Sequence, residues 1–266
     1  MRIAVHATSF CSQILAAALT LGTSAFAAET EPVSRKADMT VREIASALFK
    51  AEPGAPVDLS KHALAYLDLS ELNFKGAKLT HSDLYGVDFT RANLRGSDLA
   101  HTRLDRAVLI RADLSGANLS GATIRRPTIY ADLGNNPADA PRFSGANLTG
   151  VRAVGNLSGA DFHGADLSGA DFGAGSILTG CDFARAILRA ANLEGARLTF
   201  AHFASADLTG ANLAHADLSR ADFTGADLTD VDVTGADLDG ATLLGVKGLD
   251  TVKGLATALN FNTAIR

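Results

Sequence analysis

The sequence predicts an all-β solenoid, and three observations carry that prediction. A five-residue unit of the form Ala-(Asp/Asn)-Leu-X-X recurs from about Val57 to Gly245. The apolar content is dominated by Ala and Leu, with 6% aromatics and no Trp. The third is the chemistry of the last two positions of each unit, mostly Ser, Thr, Gly, Arg or His, residues suited to a corner. A fixed short period dictates the fold before any other reading. Cores built from a single layered domain draw on larger side chains. Here the small, uniform apolar set fits a narrow core of constant width.

The repeat has a physical logic. Examples are Ala112-Asp113-Leu114-Ser115-Gly116 and Ala206-Asp207-Leu208-Thr209-Gly210. In extended backbone, alternate side chains face opposite ways, so Ala and the central Leu share one side and Asp or Asn takes the other. Five is odd, and a straight strand would swap sides at every repeat. A corner must therefore reset the phase once per unit. A helix at 3.6 residues per turn would smear the same pattern around its surface. Each central Leu or Phe should contribute roughly 1.5–3 kcal/mol by burial.

The chain divides into four segments. Residues 1–27 read as a secretory signal peptide: Arg2, the apolar run Ile14–Leu21, and small residues at Ala25 and Ala27 before a cleavage point. A frayed or buried N-terminal helix is the competing reading. The run is too short to span a bilayer, and no other segment is a candidate span. The expected compartment is periplasmic or extracellular. Cleavage would leave Cys181 as the one cysteine, expected to be a small buried residue that forms no internal disulfide.

Residues 28–56 form an N-terminal segment with a capping helix. Thr40 and Glu43 fit a capping box, and Val41, Ile44, Ala45, Leu48 and Phe49 make one apolar face ending before Pro53-Gly54. Residues 57–250 are the repeat array, and residues 251–266 a C-terminal cap, where Val252, Leu255 and Leu259 suggest a second short helix. A helix lying on a membrane surface is the alternative for either cap, although neither has a Lys/Arg-rich polar face.

Within the array the frame is unbroken from Leu59 to Ile129. A loop over residues 130–142 then interrupts it, with Pro, Gly and Asn where a repeat should be. The frame slips by one residue before Leu157 and gains one at Gly173-Ala174-Gly175, each slip predicting a bulge or widened corner.

These motifs resemble the pentapeptide-repeat family over roughly 190 residues. The resemblance implies a right-handed quadrilateral β-helix with four repeats per coil, so that residues 20 apart stack.

Candidate chemistry is sparse. No zinc-site spacing, phosphate loop, G-x-S-x-G or H-E-x-x-H occurs. No catalytic residue, cofactor or metal is assigned, and an enzyme is the weakest reading. Asp recurs at one structural position, which points to hydrogen bonding along the exterior rather than catalysis. His81 and His101, 20 apart, would supply only two ligands to a metal.

Charge is uneven. Residues 57–130 hold ten Lys+Arg against eight Asp+Glu, and residues 131–250 seven against sixteen. A soluble surface explains this, and so does an interaction surface. At the 20-residue stacking, Arg91 falls with Arg111 and Arg106 with Arg126. They form a basic patch for an anionic partner, or dispersed solvated arginines. Aromatics do not interleave with them as in nucleic-acid binding, so direct contact with nucleic acid is not expected.

The candidate contact set is Tyr130, Asn135, Asn136 and Arg142 on the loop, plus those four arginines. The partner is expected to be a protein, its identity unread. The expected function is an exported, non-catalytic interaction or structural module. The alternative is taken from the resemblance: some pentapeptide-repeat proteins mimic duplex DNA and bind DNA gyrase, a type II topoisomerase. The acidic second half is compatible with that. The signal peptide argues against it.

Overall fold

A computed structural model describes residues 36–52, 54–131 and 136–266. The signal-peptide reading of residues 1–27 therefore lies outside the described residues. The fold below is that of the unit 34–266.

The repeats close into coils of four. Parallel bridges join Asp58 to Lys78, Lys78 to Asp98, and Asp98 to Asn118, each 20 residues apart. Twenty residues are four repeats, hence four sides and four corners per coil. The sides are so short that most pairings are single bridges. The longest paired strands are β1 (Thr123–Arg125) and β2 (Arg152–Val154), parallel to one another.

One repeat shows how the backbone is satisfied. Ala206 N–H donates to Phe203 O at 3.0 Å, closing the preceding corner. Asp207 N–H donates back to Ala186 O, while Leu208 and Gly210 N–H donate forward to Asp227 O and Thr229 O. The remaining N–H, of Thr209, donates to Asp207 Oδ1 at 3.1 Å. All five donors are used, which explains the preference for Asp or Asn before the central Leu: its carboxylate or amide oxygen takes the one N–H the ladder leaves over.

The corner that resets the phase is equally explicit. The last residue of nearly every repeat has positive φ, as at His81 (59°), Arg91 (58°) and Gly96 (63°). With the i to i+3 bond and positive φ at i+2 alone, this is a type II turn. Glycine serves there without cost, and many corners are occupied by other residues.

The apolar pair points inward throughout. Every central residue from Leu59 to Leu243 is buried, as are nearly all the small residues two positions before them. One internal column is a ladder of stacked rings: Phe143, Phe162, Phe183, Phe203 and Phe223, with centroids 4.9–5.0 Å apart and nearly parallel planes. That separation is the strand spacing of a sheet. Cys181 is buried as expected, and burial pushes its thiol pKa up to about 12.

Breaks in the frame appear as changes of register. Across the loop the step is 29 residues, Asp113 to Arg142. After the slip before Leu157 it is 19, Arg152 to Asp171, and across the extra residue at 173–175 it is 21, Asp171 to Asn192.

The two ends differ. Helix α1 (Val41–Lys50) has the expected capping box, with Thr40 N–H donating to Glu43 Oε2 at 2.7 Å and Glu43 N–H to Thr40 Oγ1 at 3.3 Å. Ile44 and Leu48 join the core cluster. Phe49 does not: it is 85% exposed, because the face turned to the core is only as wide as one i, i+4 pair.

The C-terminal end carries no α-helix, contrary to the expectation for residues 251–266. Pairing continues through Lys253, Leu259 and Ile265, at steps of 21, 22 and 23 from Asp232, Asp237 and Thr242. This last coil has six-residue sides. Thr251, Thr257 and Thr263 each donate a hydroxyl to the carbonyl three residues back. Each also accepts a corner N–H of the coil below. Positive φ at Gly248, Gly254 and Asn260 supplies the corners and breaks any helix. The one helical element there is a 3-10 turn, Phe261–Thr263.

Candidate functional site

The loop leaves the coil at one corner and rejoins it there. In the regular pattern the N–H of Arg111 would donate to Tyr130 O, 19 residues on. It donates instead to Asp139 O at 2.7 Å, so the ladder passes from Tyr130 to Asp139 for this acceptor. The Arg111 side chain reinforces this, Nε donating to Asp139 Oδ1 at 2.8 Å, and Ala131 N–H donates to Asp139 Oδ2 at 3.3 Å. The Asp139 side chain is only 4% exposed. On the other side Tyr130 donates its hydroxyl to Ser158 O at 2.8 Å, and burial pushes the phenol pKa above its ordinary range.

Asn136 accepts from Ala138 N–H at 3.0 Å and caps the short 3-10 turn Pro137–Asp139. Asn135 lies outside the described residues. Arg142 has returned to the ladder, where its Nη2 donates to Asp113 Oδ2 at 3.1 Å. Arg95 donates to the same oxygen at 3.3 Å. Burial works to raise the Asp113 carboxyl, but bonds from Ser115 and Arg95 and the charge of Arg142 outweigh it and hold the pKa below the ordinary range.

The eight predicted contact residues do not form one site. Arg91 and Arg111 share a corner column with the loop. Each is paired with an acid: Arg91 with Glu71 at 3.1 Å, Arg111 with Asp139. Like charges stacked one strand spacing apart repel, and these acids offset that repulsion. Arg106 and Arg126 sit at the preceding corner, both exposed and both at positive φ.

That corner holds residues the sequence reading missed. Tyr66 lies over Gly86, where an added Cβ would come within 2.8 Å of its ring, and meets Tyr85 edge-on at 5.4 Å. Above Tyr85 stands Arg103, its guanidinium 4.6 Å from the ring centre, with Arg106 at 5.8 Å. Arg103 also grips Asp83 with two bonds of 2.9 and 2.8 Å. Two aromatic rings thus stand together at one end of the basic column, without alternating with its arginines. The 20-residue spacing of Tyr66, Gly86 and Arg106 was the available signal. Asp139 gave none, because the loop changes the count.

His81 and His101 stack at 4.9 Å on another corner. No group of three or more His, Cys, Asp or Glu placed to hold a metal occurs among the described residues. No helix among them is long and apolar enough to cross a membrane.

Comparison with known proteins agrees with this geometry. Among curated proteins none matches the chain. Among solved structures it is similar to HetL, a pentapeptide repeat protein involved in heterocyst differentiation regulation in the cyanobacterium Nostoc sp. strain PCC 7120. Identity is 24%, coverage 85% of this chain and 94% of that one, and the TM-score 0.57, a likeness of fold. A pentapeptide repeat protein from the Arabidopsis thaliana thylakoid lumen matches at 52% identity over 32% of this chain and 60% of its own, with a TM-score of 0.31. QnrB1, a plasmid-mediated fluoroquinolone resistance protein, matches at 25% identity over 72% and 91%, with a TM-score of 0.39. The family model for pentapeptide repeats matches residues 58–96, 88–126, 142–173, 176–213 and 206–244. Those stretches cover most of the paired coils, and the chain belongs to the pentapeptide repeat family.

Proposed function

We propose that this chain is an exported, non-catalytic scaffold that presents its 130–142 loop to a protein partner from a rigid right-handed coil. Helix α1 and the six-residue sides of the last coil close its two ends. The observation that carries the reading is the clamp at the loop base. Asp139 accepts from both Arg111 and Ala131 while Tyr130 is tied to Ser158, so both ends of the loop are fixed to the coil. A loop held this way on a stiff support is the usual arrangement for recognition. Support for export comes from the sequence of residues 1–27.

The test is cell fractionation with N-terminal sequencing, followed by affinity capture from the same compartment with the native chain and with a chain whose residues 132–136 are replaced by glycine and serine. The reading requires a mature N-terminus after Ala27 and a captured protein lost from the loop variant. Intact protein in the cytoplasm would remove the export proposal. It would favour the topoisomerase alternative, which a supercoiling assay then decides.

A further inference from the structure

One edge of the coil carries opposite charge in its two halves. The edge comprises, in each coil, the outward residue before the central Leu on the second side and the two corner residues after it. From Ala63 to Gly155 these positions hold five arginines, at 103, 106, 125, 126 and 152, and two aspartates, Asp83 and Asp105. From Asp171 to Gly235 the same positions hold Asp171, Glu194 and Asp232 and no lysine or arginine. The first half is +3 over five coils; the second is −3 to Gly235 and −2 with Lys253, the same side position one coil on, and the sign changes between two adjacent coils, where Arg152 pairs with Asp171.

The basic half also carries two aromatic rings. Tyr66, 68% exposed, stands at its outer end, and Arg103 is held between Tyr85 and Asp83. Arg126 and Arg152 are exposed and form no ion pair among the described residues. Tyrosine and arginine on one surface edge are residue types enriched in protein–protein hot spots.

We propose that this edge joins two copies of the chain side by side and antiparallel, about a twofold axis passing between the coils of Arg152 and Asp171. Antiparallel stacking sets each basic half on the other's acidic half. Arg152 meets Asp171 of the second copy, and one coil further out Arg126 meets Glu194. Both ladders climb by the same strand spacing of about 4.8 Å, so the rungs stay in register along the whole edge. At the outer end the exposed ring of Tyr66 meets Lys253 of the second copy, a cation–π pair. The contact is isologous and closes on itself as a dimer.

Sedimentation velocity on the chain at 50 mM and 500 mM salt tests this. A dimer at low salt that dissociates at high salt is expected, since the rungs are solvent-exposed charges. Two double variants complete the test: Arg126→Glu with Arg152→Glu, and Asp171→Lys with Glu194→Lys. The backbone tolerates these residues, because Glu71 occupies the corner position of Arg126 and Lys78 the side position of Asp171. Each variant alone should dimerise at least about tenfold more weakly, and an equimolar mixture should recover the dimer, because the reversed halves complement each other. A chain monomeric at low salt, or a dimer indifferent to salt, or a mixture that stays monomeric, overturns the proposal.

Discussion

Arg111 and Asp139 are 28 residues apart in the chain and are joined twice, through the Arg111 N–H to the Asp139 carbonyl and through Nε to its carboxylate. The pair closes a coil that the loop would otherwise leave open. Asp139→Ala should therefore lower stability by about 1–3 kcal/mol, the cost of stranding a buried hydrogen-bonded group. It should also speed hydrogen exchange at the Arg111 and Ala131 amides. Replacement of residues 132–136 should leave the melting temperature nearly unchanged. Deletion of the whole loop should not, since it removes Asp139 and Tyr130. Equal melting of all three would show that the clamp is irrelevant to the coil.

The exterior aspartates make stability depend on acid. In Asp227 and Asp232 the hydroxyls of Thr229 and Thr234 are the largest cause, aided by the same residues' backbone N–H, and hold the carboxyls below their ordinary 3.8. A lowered folded pKa gives stabilisation that is present above the unfolded value and lost as pH falls through the folded one. Stability should be level with respect to these groups above about pH 5 and fall below pH 4. Thr229→Val should raise the Asp227 pKa toward 3.8, read by carbon NMR titration. An unchanged titration would contradict the hydroxyl's role.

Corner glycines should not be equivalent. Gly116 has φ 65° and open space where a Cβ would go, so Gly116→Ala should cost about 1 kcal/mol for the left-handed backbone alone. Gly248 has φ 69°, and a Cβ there would stand 2.6 Å from the Thr229 backbone. Gly248→Ala should cost distinctly more, because the last coil must lift away. Denaturant melts of the pair decide the order.

The inward assignment makes a sharper demand. Leu114 is completely buried among the central residues. Leu114→Lys places an unpaired ammonium in a core with no room to release it, and cooperative unfolding or soluble expression should be lost. A normal melt would refute the assignment.

Cys181 is buried, and its pKa of about 12 leaves almost no thiolate at neutral pH. A disulfide reagent should fail to label it until the chain is unfolded with denaturant. Rapid labelling of native protein would show that the coil opens at that side.

The five-residue period, the inward Ala and Leu, and the positions of the three interruptions are legible in the sequence. They are local: each follows from the alternation of extended backbone and from whether a given unit keeps its count. The capping box of Thr40 and Glu43 is local too and is found where the spacing puts it. The job of the outward aspartates is half legible, since their spacing marks the exterior but not the N–H they accept.

What depends on closing the coil could be read only from the tertiary structure. The repeat does not announce that Asp139 takes over the acceptor place of Tyr130, because the loop alters the count by an amount that only pairing fixes. Phe49 matches the apolar face of its helix by period, yet the narrow end of the core buries Ile44 and Leu48, takes Val41 partly, and leaves Phe49 out. Residues 251–266 look helical by apolar spacing, but Gly248, Gly254 and Asn260 turn them into six-residue sides. The charged edge is the furthest from view. Its residues lie 19 to 29 positions apart, and only the stacking of coils about 4.8 Å apart gathers them into one line.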